Sequence, residues 1–112
     1  MTATPLPAGA PALAALITPT PGGIASRVLA KTTGGSLTLF AFDGGEGLSE
    51  HTSPFEAFVL PLDGALRLVI GGARTEAGPG TIVRLPAGVP HAVETTSPAR
   101  MLLVMLRDVA TR

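Results

Sequence analysis

Two stretches decide how this chain folds: GEGLSEHTSPFEAFVLPLDG, Gly45–Gly64, and GTIVRLPAGVPHAV, Gly80–Val93. Each opens on a glycine and runs five residues to a fixed point, His51 in the first and Pro86 in the second. In the first, Phe55 to Leu62 is nearly all apolar, which predicts a strand covered on both faces, and Asp63-Gly64 closes it as a turn. In the second, Pro86-Ala87-Gly88 makes a rigid loop and His91 starts a strand directly after Pro90. His51 and His91 are the only two histidines of the chain.

Outward from these stretches the same grammar repeats. Short apolar runs alternate with Gly, Pro and Asp, the pattern of an all-β domain. It predicts strands over Ile24–Lys31, Ser36–Phe42, Phe55–Leu62, Ala65–Ile70, Thr81–Leu85, His91–Thr95 and Arg100–Leu106. Asp43-Gly44-Gly45 and Gly71-Gly72 are turns, and Glu46 and Glu50 fall on the connection before His51. Residues 1–22 read as a flexible Pro- and Ala-rich leader, with Leu13 to Ile17 its one segment able to dock on the barrel or a partner; residues 23–112 are the domain.

The 112 residues suffice for one core without staples. There is no cysteine, so no disulfide and no thiolate site; the chain reads as cytoplasmic. Net charge is zero and only 14% of residues are charged, which leaves no basic stripe for nucleic acid. No apolar run of about 18 residues exists to cross a membrane as a helix, and no basic n-region precedes Ala10–Ile17.

The spacings Gly45-x5-His51, with Gly64 closing the stretch, and Gly80-x5-Pro86-x-Gly88-x2-His91 resemble the two consensus motifs of the cupin superfamily. The resemblance runs from about Ser26 to Arg107 and looks closest to the small single-domain bacterial cupins. It implies an antiparallel jelly-roll barrel, a double-stranded β-helix. It also implies that His51 and His91 enter one shared pocket with Ser53. In metal-binding members of the family the ligands are two histidines and a glutamate from the first motif and the histidine of the second. Here Ser53 stands at the second histidine position and Ala57 at the glutamate position. A serine hydroxyl is a poor donor beside imidazole and carboxylate. Glu56, one residue off, would face the pocket only through a bulge near Pro54.

Two functions of different class follow. The first is a barrel that binds a small molecule through His51, Ser53 and His91. The alternative is a mononuclear metal enzyme of oxygenase or isomerase type, with Mn, Fe, Ni or Zn on His51, His91 and Glu56. Metal-free acid–base catalysis would need a partner such as Glu56 beside a histidine. The structural reading of the two rings, hydrogen-bonded to Ser53, Thr95 or water, stands against all three. Arg84 is expected at solvent or at an interface. The runs Phe55–Leu62 and Met101–Leu106 hold more apolar residues than one interior takes up, which predicts a homodimer.

Overall fold

Alternation along one strand sets the layers. The computed structural model describes residues 6–108. Among them lie nine strands: β1 (Ile24–Thr32), β2 (Gly35–Phe42), β3 (Gly47–His51), β4 (Glu56–Asp63), β5 (Leu66–Ile70), β6 (Ala73–Ala77), β7 (Val83–Leu85), β8 (His91–Glu94) and β9 (Ala99–Leu106). On β2, Phe40 and Phe42 face inward with Met101 and Leu103, while Leu37, Leu39 and Ala41 face outward. A strand with two apolar faces needs cover on both.

The inner cover is the second sheet. A five-stranded sheet, β1-β2-β9-β4-β7, faces a four-stranded one, β3-β8-β5-β6, with antiparallel pairing throughout, as in a jelly roll. Between them the core gathers Phe42, Val59, Leu66, Leu68 and Met101, all fully buried. This packed end of the barrel is closed by Ala77 and Ala99.

The outer cover is the leader. Leu13–Leu16 forms a single 3-10 turn, and Ile17 packs with Leu29, Leu39 and Ala41. Two arginines fasten the leader: Arg27 Nη1 donates to the Leu16 carbonyl at 3.1 Å and Arg100 Nε to the Ile17 carbonyl at 2.8 Å. Among the described residues the apolar packing of the leader starts at Leu13, so deleting residues 1–12 should change unfolding free energy by less than about 1 kcal/mol. Deleting residues 1–18 removes the Ile17 side chain and both carbonyl acceptors, and should cost about 3 kcal/mol. Urea melts of the two truncations would show this step; equal costs would mean that residues before Leu13 hold the fold.

β3 and β6 are strands that the apolar pattern does not predict. Both lie at edges of the four-stranded sheet, where short, polar strands are the rule. Glu50 therefore lies within a strand rather than on a connection. Among the described residues no helix is long and apolar enough to cross a membrane.

Candidate functional site

The open end of the barrel is organised by an irregularity in β3. Leu48 pairs with Val93 and His51 with His91, so Ser49 and Glu50 together oppose Ala92 alone. Such a bulge re-aims the next side chain. It puts His51, rather than Glu50, across from His91. A bulge thus shapes this site, on the near side of His51 and away from Pro54.

The two imidazoles meet edge to face, with centroids 4.4 Å apart and planes at 73°. Their Nε2 atoms are 3.1 Å apart. His51 Nδ1 faces the Ser49 carbonyl at 2.8 Å and His91 Nδ1 the Val89 carbonyl at 3.2 Å. A carbonyl oxygen only accepts, so both Nδ1 atoms carry the hydrogen. Neutral rings then turn two Nε2 lone pairs toward each other. The pair is complete only with a proton, or a donor from a ligand, between them. His91 is 5% exposed whereas His51 is open to solvent. Burial pushes the His91 imidazole below its ordinary value; the nearby His51 adds to that, and the Val89 carbonyl partly opposes it.

The depressed value fixes the sign of a pH effect. The fold binds the His91 proton less readily than the unfolded chain does. Stability from the neutral ring is complete above about pH 6.5 and declines as pH falls below it toward the lower folded value. Urea midpoints should hold level from about pH 8 to 7 and fall from about pH 6.5 to 5. His91→Phe should flatten that slope; an unchanged slope would assign it to another group.

Ser53 ties the two motif loops together. Its Oγ accepts the Phe55 N–H at 3.1 Å, and its carbonyl accepts the Gly88 N–H at 2.8 Å. Glu56 is engaged elsewhere: one carboxylate oxygen pairs with Arg84 Nε and the other accepts the Ala87 N–H at 3.0 Å. Arg84, foremost, and the Ala87 N–H hold the Glu56 carboxyl below the usual range. Arg84 is at solvent, 62% exposed. Ala57 sits inward and 3% exposed, opposite Leu85 and Met105. Among the described residues no three of His, Asp and Glu are grouped to hold a metal ion. The donor set therefore does not fit a four-ligand centre: two imidazole nitrogens converge, without the third and fourth groups.

Facing inward from β1, β2 and β9, a cavity of about 320 Å³ is lined by Val28, Phe40, Leu103 and Met105 and bordered by Lys31, Ser36, Thr38 and Arg107. Neither histidine is part of that lining. The two features are linked by the loop that leaves His51, which carries Phe55 beneath the Arg107 guanidinium, 4.8 Å from ring centroid to Cζ. Lys31, Thr38 and Arg107 escape a motif-based reading. The signal for Arg107 is its place: it follows Leu103 and Met105 by the same spacing, one residue past the end of β9.

A family model described as "Cupin domain" matches residues 38–105. No curated protein matches the sequence. Solved structures do. A conserved protein of unknown function from Streptococcus pyogenes is 28% identical, with 94% of this chain and 92% of that one covered and a TM-score of 0.87. A cupin superfamily protein from Desulfitobacterium hafniense is 27% identical over 96% and 100%, with a TM-score of 0.88. A Cupin 2 conserved barrel domain protein from Leptotrichia buccalis is 33% identical over 85% of this chain and 46% of its own, with a TM-score of 0.81.

Proposed function

Because the chain belongs to the cupin family, we propose that its barrel binds a small molecule and that His51 and His91 hold a polar group of that ligand. The observation that carries this is the Nε2 pair at 3.1 Å, with each Nδ1 committed to a backbone carbonyl. Fixed tautomers and fixed ring planes make a preorganised acceptor pair, which a ligand hydroxyl, amide or ammonium donor completes.

The test is NMR observation of the imidazole nitrogens during titration with small alcohols, amides and amines. Binding molecules should move the Nε2 resonances of both histidines and leave the Nδ1 resonances nearly still. Molecules that bind without moving either Nε2, or a complete lack of binding up to about 10 mM, would sink the reading.

The metal-dependent alternative has one observation in its favour. Each Nδ1–H is anchored on a carbonyl, as the outer nitrogens of ligating imidazoles are. Against it stands the donor count, since catalytic centres use about three protein ligands. Protein purified without a tag or chelator should carry well under one equivalent of Mn, Fe, Ni or Zn.

A homodimer is proposed on the outer face of the five-stranded sheet. The leader covers its β1–β2 side, while Phe58, Leu60 and Val104 stay half-buried and Leu106 is 48% exposed. Light scattering at micromolar concentration that finds only monomer would count against it.

A further inference from the structure

We propose that the cavity at the open end of the barrel is an anion site, and that its ligand is a small carboxylate with a compact apolar body. This deepens the small-molecule part of that reading and rests on it, not on the histidines, which stand outside the cavity's lining. At about 320 Å³ the cavity lies at the lower end of the range for ligand pockets and suits about ten non-hydrogen atoms.

Its lining divides by chemistry. Val28, Phe40, Leu103 and Met105 form an apolar wall, and no acidic side chain lines the space. The two cations reach its border through strand register. Lys31 pairs with Ser36, and Ser36 with Met105. Arg107 follows Met105 by two residues and is fixed by its N–H on the Gly34 carbonyl at 2.9 Å. β1, β2 and the residue just past β9 thereby place an ammonium, a hydroxyl and a guanidinium at one edge of one face.

Among the described residues the ion pairs join Arg67 to Glu76 and Glu94, Arg84 to Glu56, and Arg100 to Asp63; none includes Lys31 or Arg107. Asp108 and Glu56 line the neighbouring groove instead. Arg107 Nε is buried and finds no hydrogen-bond acceptor among the described residues. With no acid among the described residues paired to it, the Arg107 guanidinium carries an uncompensated charge at the cavity's border, and an oxygen anion in the cavity supplies the counter-charge. The Phe55 ring, 4.8 Å from Arg107 Cζ, attracts the guanidinium to that side of the cavity's border, and a guanidinium fork suits a planar, bidentate carboxylate. A neutral isostere would leave the half-buried Arg107 without a counter-charge. An ion with no apolar body would leave the wall of Phe40, Leu103 and Met105 wet.

The experiment compares three probes by calorimetry and by NMR: phenylacetate, phenylacetamide and acetate. Phenylacetate should bind at least tenfold more tightly than either of the others. Arg107→Gln and Lys31→Gln should each weaken phenylacetate about tenfold and leave phenylacetamide unchanged, and Arg107→Lys should keep part of the affinity. Lys31 is exposed, so its variant carries the test even where an Arg107 variant unfolds. Equal affinity for phenylacetate and its amide overturns the anion site while leaving the small-molecule reading standing. Acetate binding as tightly as phenylacetate overturns the apolar body. Phenylacetate that binds without moving His51 and His91 supports the anion site. An absence of binding by any probe overturns the proposal.

Discussion

Replacing Ser53 by His and Ala57 by Glu in one chain should turn a barrel indifferent to Mn²⁺ and Zn²⁺ into one that melts about 15 °C higher with either ion at saturation. The anchored Nε2 pair already supplies two convergent donors. Position 57 faces the interior opposite Leu85 and Met105, and position 53 is held to Gly88, three residues ahead of His91. One imidazole and one carboxylate at those positions complete a set that suits Mn, Fe, Ni or Zn. Without metal the double variant should be less stable than wild type by about 2–4 kcal/mol, because an unpaired carboxylate replaces a methyl group that is 3% exposed. Metal at about a thousandfold above Kd returns about 4 kcal/mol to the folded form. Melts of both proteins titrated with each ion decide it. Equal shifts in the two would mean that the wild type holds a full site, and no shift in either that positions 53 and 57 do not meet the histidines.

What could be read from the sequence follows from which forces leave a trace in it. The strands with inward apolar residues and clear turn punctuation, β2, β4, β5 and β9, lie within one or two residues of expectation. Burial dictates their composition, so composition reports them. β3 and β6 escape because an edge strand has one neighbour and a solvated side; GLSEH and ARTEA satisfy that without an apolar period. The His51–His91 meeting is what the resemblance to the cupin motifs implies. The bulge that produces it does not, since Ser49 and Glu50 carry no bulge signal of their own. Strand alternation does not carry over from β3 to β4. β3 ends at His51 and β4 begins at Glu56, so the residues between do not continue an alternation. Glu56 shows the same gap: its commitment to Arg84 and Ala87 depends on the β4–β7 register, which only the folded chain defines.

Gly64→Ala should cost about 3–4 kcal/mol, a large share of the roughly 5–15 kcal/mol that holds a domain of this size. The turn from β4 to β5 sets Gly64 at φ +70°, a conformation that costs an alanine about 1–2 kcal/mol. The remainder comes from packing. A Cβ at this position would lie 2.4 Å from the Pro98 carbonyl oxygen and 2.9 Å from Ala99 Cα. Those are backbone atoms where β9 begins, and β9 is the central strand of the five-stranded sheet, bonded to both β2 and β4. They cannot move without disturbing the Phe42–Ala99 pairing that closes the packed end. Gly72→Ala is the matched control. Its φ of +84° is just as unfavourable, but a Cβ there meets nothing within 4 Å. It should cost only the strain, about 1–2 kcal/mol. Urea unfolding of the two variants at one pH separates the terms, and equal losses would show that the β9 backbone yields and that close approach plays no part in fixing glycine at position 64. Gly64 lies at the far end of the barrel from the histidines, so the variant, where folded, should keep the Nε2 resonances of His51 and His91 at their wild-type positions.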